Sequence, residues 1–205
     1  GRLEYSFSEL VKKCGIDMTE CSLIEENGRA HFLTKRFDRE NGRKIHMQTL
    51  CGMAHYDFRL KNGHSYEQAF NVMRRLRLPY SQAQEMFRRI VFNVVVRNQD
   101  DHTKNISFLM DSSGQWSLSP AYDMGFAYNP LGAWTATHQM SINGKFDNIT
   151  RADLLSLANA NNIKNASEII DQVCETTAGW PEVAKNCGVP QKMIDGIVPH
   201  MLLSI

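Results

Sequence analysis

Residues 97–105 read Arg97-Asn98-Gln99-Asp100-Asp101-His102-Thr103-Lys104-Asn105, a run of acidic, amide and imidazole groups between two apolar segments. The segment before it has six apolar residues at the i, i+3, i+4 spacing of a core-facing helix: Met86, Phe87, Ile90, Val91, Val94 and Val95. The segment after it has short apolar runs at 106–110 and 116–118 around Gly114, a pattern typical of a hairpin. The sequence therefore predicts a polar loop held between a buried helix and a hairpin.

The spacing inside this loop indicates phosphoryl transfer. Asp100 and Asn105 reproduce the D-x-x-x-x-N of a protein-kinase catalytic loop, in which the Asp accepts the substrate hydroxyl proton and the Asn binds Mg²⁺. Asp123-Met124-Gly125 follows the predicted hairpin and has the D-x-G pattern of a second metal ligand. The reaction requires a protein mainly to position groups and to offset charge. Asp100 alone is as readily a turn former, but the combined pattern favours catalysis.

Helical signals outnumber strand signals in the rest of the chain. Three capping-box pairs predict helix starts: Ser65 with Gln68, Ser81 with Gln84, and Thr150 with Asp153. Apolar spacing or helix-start residues predict four more helices: residues 4–14, 48–55, 167–187 and the segment after Pro190. Cys21–Ile24 and Ala30–Phe37 are predicted strands joined by an Asn27-Gly28 turn, and 128–145 is predicted to be a long ordered loop. The fold class that follows is α+β, mainly α-helical, with short β-hairpins.

Composition excludes several classes of protein. The 205 residues are 42% hydrophobic, enough for one large domain or two small ones, and the net charge of +1 gives no electrostatic argument for nucleic acid or membrane binding. The five cysteines form no C-x-x-C pair, which argues against a disulfide framework and a zinc ribbon. The most apolar run, Ile90–Val96, is far shorter than the roughly 20 residues of a membrane span. These features predict a cytoplasmic protein without a membrane partner.

Three segments of the chain resemble the signature segments of one family. They are Arg36-Phe37-Asp38-Arg39, Asn98 through Asn105, and Pro120-Ala121-Tyr122-Asp123. In this order they resemble the HipA-like serine/threonine kinases, the toxins of bacterial HipBA toxin–antitoxin systems, and the resemblance covers essentially the whole chain. It implies a kinase-like C-terminal lobe that uses ATP and Mg²⁺.

The resemblance also implies roles for individual residues. Asp100 is implied as the catalytic base, and Asn105 and Asp123 as the Mg²⁺ ligands. The remaining nucleotide-binding positions are His102 and Lys104 beside the phosphates, Tyr122 in the third signature segment, and Lys35, Arg36, Phe37 and Asp38 on a hinge strand beside adenine and ribose. A plain edge strand with an Arg–Asp pair is the alternative interpretation of this hinge group.

The chain departs from the kinase pattern in its first part. It has no G-x-G-x-x-G loop and no strand lysine of the V-A-I-K kind, and the family carries those parts upstream of this sequence. We therefore expect residues 1–38 to be a remnant of an N-terminal lobe with the hinge strand, and 39–205 to be the helical C-terminal lobe. An incomplete fragment of this kind is expected to have little activity. Glu4 is either the partner of the absent lysine or a solvent-facing residue of the first helical turn.

Two other functions stay open on the sequence alone. A metal-dependent hydrolase would use Asp100, Asp101 and His102, with His55 and Asp57 as further candidates, although the spacing of these ligands is poor. A non-catalytic module would serve to bind an antitoxin. The resemblance implies a helix-turn-helix antitoxin of the HipB type, contact with DNA only through it, and a protein substrate such as an aminoacyl-tRNA synthetase. The stretch 134–140 either packs internally or lines a substrate cleft.

Overall fold

The computed structural model describes every residue from Gly1 to Ile205, in the following order of elements. The elements are α1 (Arg2–Lys13), β1 (Cys21–Glu26), β2 (Arg29–Thr34), β3 (Arg39–Glu40), β4 (Arg43–Lys44), β5 (His46–Thr49), α2 (Leu50–Ala54), β6 (His64–Ser65), α3 (Tyr66–Arg75), α4 (Tyr80–Val96), β7 (Ser107–Met110), β8 (Trp116–Leu118), β9 (Met140–Ser141), α5 (Arg151–Ala160), α6 (Ala166–Ala178), α7 (Trp180–Asn186) and α8 (Gln191–Ile197). The predicted α+β, mainly helical class is confirmed. None of these helices is both long and apolar enough to span a bilayer.

Helix α4 is the centre of the core, as its apolar stripe predicts. Its inner face, including Phe87, Ile90 and Val94, is fully buried, and α4 packs against α6. The predicted capping boxes form at Ser65 and at Thr150, but the one at Ser81 is wrong. Helix α4 begins two residues earlier than predicted, because Pro79, with an extended ψ of 159°, occupies the N-cap position in place of Ser81.

Two other predicted helices differ from the structure. The predicted helix 167–187 is divided into α6 and α7 at Gly179, and the predicted helix 48–55 begins as strand β5 before it becomes α2. Strand β5 pairs with β7, which pairs with β8, so that the three strands form one antiparallel sheet. The polar loop begins at the end of helix α4 and ends at strand β7 of this sheet, so both of its ends are attached to ordered elements.

Helix α1 belongs to the same hydrophobic core as the helices that follow. Phe7 stacks on Trp180 with ring centroids 4.7 Å apart, and the Trp180 indole N–H donates to Ser6 Oγ at 3.2 Å. Burial of these two aromatic rings holds α1 against α7. The division of the chain into 1–38 and 39–205 stays a prediction, since this core includes residues from both parts.

The first hairpin forms as predicted, but its second strand is shorter. Asn27 and Gly28 both have positive φ, the geometry of a tight two-residue hairpin turn. Strand β2 ends at Thr34, so the predicted strand through Phe37 is wrong. The Lys35 amide donates to the Glu20 carbonyl at 2.9 Å, after which the chain turns away into the small β3–β4 hairpin.

Candidate active site

The polar loop between α4 and β7 is tied down along its length. Arg97, the residue that ends α4, has the left-handed φ of 54° and redirects the chain. The Leu50 amide donates to the Ile106 carbonyl at 2.8 Å, and the Cys51 amide donates to the Thr103 carbonyl at 3.0 Å. The Thr103 hydroxyl donates to the Tyr56 carbonyl at 2.8 Å. Hydrogen bonds to residues 50, 51 and 56 therefore fix the loop, while the Asp100 side chain lines a cleft.

Asp100 has a carboxylate that receives no hydrogen bond from the protein. Its own backbone carbonyl accepts from the His102 amide at 2.9 Å and from the Asn105 side-chain amide at 3.0 Å. Partial burial raises the pKa of Asp100, the neighbouring His102 opposes that rise, and the carboxylates of Asp123 and Asp101 add to it. The result is a carboxylate with free acceptor capacity and a raised affinity for a proton.

Asn105 and Asp123 also keep oxygen atoms free. The Asn105 amide nitrogen is held by the Asp100 carbonyl, which leaves the amide oxygen available as a ligand. The exposed carboxylate of Asp123 receives no hydrogen bond from the protein, while its backbone carbonyl accepts from Asn98 Nδ2 at 3.3 Å. Asp123 has a φ of 56°, a left-handed conformation that is costly for a residue with a Cβ and that clusters at functional sites.

A cleft of about 190 Å³ brings Asp100 and Asp123 together. Its apolar wall comes from α1, from β2 and from the segments beside them: Leu3, Phe7, Met18, Phe32, Met124 and Phe126. The first helix also supplies Glu4, whose pKa is raised by partial burial, with the amino terminus opposing and Asp123 adding to the rise. No sequence pattern predicted this apolar wall, because its residues come from separate parts of the chain.

The donor set of this site fits Mg²⁺. Asp123 and Asn105 offer hard oxygen ligands, and Mg²⁺ in phosphoryl-transfer enzymes takes one or two protein ligands plus substrate phosphates. No group of three or more His, Cys, Asp or Glu side chains is placed to share a metal ion. The site therefore matches a cation that arrives with a nucleotide more closely than a cation held by protein ligands alone.

Asp101, the next residue, is fully occupied by the protein. Its carboxylate accepts from the Tyr66 hydroxyl at 2.7 Å, contacts His138 Nδ1 at 2.8 Å, and accepts from the Gln139 amide at 2.7 Å. Asp101 is only 3% exposed. These contacts leave it no oxygen for a metal ion, so the hydrolase alternative loses one of its three principal residues.

The contacts of Asp101 extend into a buried chain of polar side chains. Asn93 Nδ2 donates to the Tyr66 hydroxyl at 3.0 Å, and Asn98 Nδ2 donates to Asn93 Oδ1 at 3.0 Å. Asn98 also reaches the Asp123 carbonyl. We call this set, Tyr66, Asn93, Asn98, Asp101 and His138, the anchor network. Its hydrogen bonds connect the loop that carries Asp100 with the segment that carries Asp123. The spacing of these residues in the sequence did not predict this network.

The hinge residues do not line this cleft. Lys35, Arg36 and Phe37 line a separate surface depression, and they lie outside any strand, contrary to the prediction. Arg36 forms a bidentate pair with Asp38 at 2.8 and 2.7 Å. The hydrogen bond from Arg36 is the main reason that the pKa of Asp38 falls to about 2, while partial burial opposes the shift and Arg39 assists it.

The other predicted nucleotide-binding residues occupy different surroundings. Tyr122 packs on Phe37 with ring centroids 5.6 Å apart, and its hydroxyl donates to the Lys104 carbonyl. Burial raises the pKa of Tyr122, and the hydrogen bond with the Ser107 hydroxyl opposes this. Tyr122 therefore connects the hinge segment to the polar loop. The side chains of His102 and Lys104 lie against Phe58, with the Lys104 nitrogen 3.7 Å from the ring centroid.

Comparisons with known proteins identify the family and the fold of the chain. The family model described as "HipA-like C-terminal domain" matches residues 1–180. A protein of Haemophilus influenzae is 29% identical over 136 residues, which cover 58% of this chain and 39% of that protein. A protein of Sinorhizobium fredii is 27% identical over 218 residues, covering 96% of this chain and 52% of that protein. Both names begin "Putative kinase", and the chain spans about half or less of their lengths.

Two solved structures share the fold. HipA of Shewanella oneidensis, solved with HipB and operator DNA, has a TM-score of 0.71 at 20% identity, over 90% of this chain and 48% of that chain. The proinflammatory kinase CtkA of Helicobacter pylori has a TM-score of 0.60 at 14% identity, over 97% of this chain and 82% of that chain. At these identities the similarity describes the fold alone.

Proposed function

The chain belongs to the HipA-like C-terminal domain family, and from that premise we propose that it is the catalytic portion of a toxin-type serine/threonine protein kinase. The reaction is transfer of the γ-phosphate of ATP to a Ser or Thr hydroxyl. The chain spans about half or less of the curated relatives' lengths, so the proposal concerns the longest natural protein that contains it. The activity of these 205 residues alone stays a prediction.

One observation carries the proposal: Asp100 and Asp123 line a single cleft and neither carboxylate is used by the protein. A partly buried carboxylate such as Asp100 is normally paired in a folded protein, so its free state beside a second free carboxylate, the exposed Asp123, calls for a functional explanation. The side-chain oxygen of Asn105 adds a third free oxygen from the same loop. Asn105 does not itself line the cleft, but carboxylate and amide oxygens of this kind are the donor types that phosphoryl transfer requires, which supports the proposal.

In the proposed mechanism Asp100 accepts a hydrogen bond from the substrate hydroxyl and so orients it for attack. The hydroxyl oxygen bonds to the γ-phosphorus, the bond from that phosphorus to the β,γ-bridging oxygen breaks, and the hydroxyl proton passes to Asp100 as ADP leaves. The raised pKa of Asp100 strengthens it as a proton acceptor at this step. The neighbouring loop contacts keep its backbone still during the transfer.

Asn105 and Asp123 are proposed to hold Mg²⁺, which when bound offsets the charge of the phosphate oxygens. Asn105 is oriented for this by its hydrogen bond to the Asp100 carbonyl. Asp123 is oriented by its left-handed backbone and by Asn98. Lys35 to Asp38 as adenine and ribose contacts, and His102, Lys104 and Tyr122 as nucleotide contacts, remain predictions.

Partners are proposed by analogy with the Shewanella protein, which was solved with HipB and DNA. For this chain we propose a helix-turn-helix antitoxin of the HipB type, with DNA reached only through it. An aminoacyl-tRNA synthetase as the phosphorylated protein stays a prediction of the family resemblance. The five free cysteines fit the proposed cytoplasmic location.

The decisive experiment measures transfer of ³²P from γ-labelled ATP to Ser or Thr by the longest natural form, with Mg²⁺ and with EDTA. We expect transfer that requires Mg²⁺ and that is lost in Asp123→Asn. Asp195→Asn is the matched control, because Asp195 is an exposed carboxylate on α8 remote from the cleft. Full transfer by Asp123→Asn, or tightly bound Zn²⁺ without ATP binding, would contradict the proposal and favour the hydrolase.

A further inference from the structure

A second cavity opens on the other side of Asp100. It measures about 210 Å³ and is lined by Phe58, Arg59, Asp100, His102, Trp134 and Gln139. Asp100 is the one residue that lines both this cavity and the cleft with Asp123. We call it the acceptor cavity. The carboxylate of Asp100 thus stands at a boundary between the proposed nucleotide side and a space with aromatic walls.

One wall of the acceptor cavity is a rigid aromatic platform. Trp134 is 49% exposed, although its backbone is fixed from several directions. Gln139 Nε2 donates to the Trp134 carbonyl, and Lys61 Nζ donates to the neighbouring Ala133 carbonyl at 2.9 Å. The Asn129 amide donates to the Thr135 carbonyl at 3.1 Å, which closes the surrounding loop. A large apolar side chain left exposed on a fixed backbone is typical of a binding surface.

The second aromatic residue of the lining is Phe58, whose ring has close neighbours within the protein. The His102 ring meets it edge to face with centroids 5.5 Å apart, and Lys104 Nζ lies 3.7 Å from its centroid. Arg59 lies on the same side, with its guanidinium carbon 5.9 Å from the ring centroid. Leu60, the next residue, is more than half exposed. The wall is therefore aromatic, and the Arg59 guanidinium at its edge is paired with Asp57.

We propose that the acceptor cavity binds an apolar side chain next to the phosphorylated Ser or Thr of a protein substrate. The inference rests on the proposed kinase function and adds a sequence preference to it. In-line attack requires the hydroxyl to reach the phosphate from the side opposite the leaving group. Since Asp123 lies only on the cleft side, the hydroxyl at Asp100 approaches from the acceptor cavity. A neighbouring residue of the substrate then lies between Phe58 and Trp134.

The surroundings favour a protein segment over a small hydroxyl compound. Leu60 and the 94% exposed Leu131 do not line the cavity, but they lie one and three residues from its lining residues Arg59 and Trp134 and add exposed apolar surface to the same two loops. Exposed Trp side chains near Arg are typical of the centre of protein interfaces. Arg59 is paired with Asp57, and Asp100 adds a negative charge to the cavity lining, so the expected preference for an apolar neighbour rests on the aromatic residues Phe58 and Trp134.

The test uses synthetic peptides with a central Ser and one flanking position set in turn to Leu, Phe, Asp or Lys. We expect kcat/KM for the Leu and Phe peptides to exceed that for the Lys peptide by about tenfold or more, the discrimination that an apolar pocket gives. Trp134→Ala should remove this preference, and Trp134→Phe should restore most of it. Met193→Ala is the control, because Met193 is 43% exposed on α8, outside both cavities.

A binding measurement separates this inference from the proposed function. Anisotropy of fluorescein-labelled peptides, recorded without nucleotide, reports occupation of the acceptor cavity whether or not phosphate is transferred. Tighter binding of the Leu peptide that weakens in Trp134→Ala, without transfer by the wild type, supports the cavity assignment and contradicts the kinase proposal. Transfer with equal rates for Leu and Lys peptides, or no binding of any peptide, would overturn the cavity assignment.

Discussion

Asp100 and Asp101 are adjacent in the chain and chemically identical, yet they lie in opposite environments. Asp100 faces the cleft with no partner, whereas Asp101 lies in the anchor network with three contacts to Tyr66, His138 and Gln139. The first environment leaves a carboxylate free to react. The second makes a carboxylate structural, because every oxygen is already engaged.

The difference shows how the protein separates reactivity from rigidity. A free carboxylate in a partly buried cleft is unfavourable for stability, because burial disfavours its charge. The saturated network behind it supplies the positional order that the cleft lacks, because buried polar networks that are fully satisfied rigidify a core. Active sites commonly combine such a destabilised group with a stable support. Five measurements test this contrast.

The largest effect is expected from Asp100→Asn. Removing the proposed base should lower the phosphoryl-transfer rate by about 10²- to 10⁴-fold, the usual contribution of general-base catalysis. Stability should not fall, because the Asp100 carboxylate has no hydrogen bond to lose. Transfer rates and urea unfolding midpoints measured on the same preparations separate the two effects. Normal transfer by this variant, with Asp195→Asn as control, would remove Asp100 from the mechanism.

A different outcome is expected from Asp101→Ala. It leaves the Tyr66 hydroxyl, the His138 ring and the Gln139 amide buried without their acceptor, which should cost about 3 to 5 kcal/mol of unfolding free energy. Tyr66→Phe removes one of these contacts and should cost about 1 to 2 kcal/mol. Denaturant titration of both variants measures the two losses of unfolding free energy, and the loss in Asp101→Ala is expected to be the larger. An Asp101→Ala protein as stable as wild type would contradict the structural role of the network.

The pH dependence of activity is the third test. Asp100 must be ionised to accept a proton, and its pKa is raised by burial, so activity should begin to fall at a higher pH than for an ordinary carboxyl. Below that pKa the rate should decrease about tenfold per pH unit. A pH profile of kcat/KM on the acid side measures the midpoint. A midpoint at or below the ordinary Asp value would contradict the assignment.

The ionised Asp100 carboxylate, which activity requires, lowers the stability of the folded protein. Because the folded protein binds the Asp100 proton more tightly than the unfolded chain, this contribution is favourable at low pH and is lost as pH rises from the unfolded to the folded pKa. Asp100→Asn should remove that part of the pH dependence. Urea midpoints of wild type and variant should therefore converge at acid pH and differ at neutral pH, with the variant at least as stable.

The smallest effect is expected at the hinge. The Arg36 side chain is 66% exposed, and Asp38 keeps a second ion pair with Arg39 when Arg36 is removed, so the Arg36–Asp38 pair is expected to contribute little to stability. Arg36→Ala should leave the urea midpoint at neutral pH unchanged within error. The pKa of Asp38 is lowered to about 2, so whatever the pair contributes is present above the unfolded pKa and is lost as pH falls towards about 2. A large loss of stability in Arg36→Ala would show that the hinge resembles the anchor network.

Local patterns determined much of the fold. The capping boxes at Ser65 and Thr150 and the Asn27-Gly28 turn depend on residues within a few positions of each other, and each formed as predicted. The apolar stripe of α4 likewise predicted its buried face. The errors, at Ser81 and at the strand through Phe37, arose where a neighbouring segment competed with the local signal. Interactions between residues close in sequence were sufficient to predict that these helices and turns form. The exact residues at which helices and strands end were less predictable.

The sequence alone indicated the loop that we propose to carry the chemistry, because the D-x-x-x-x-N spacing of Asp100 and Asn105 lies within six residues. It did not distinguish Asp100 from Asp101 as free or structural. That distinction depends on Tyr66 and His138, which lie 35 and 37 positions away from Asp101. Whether a carboxylate is free depends on which donors the folded chain brings to it, and only the tertiary structure decides that.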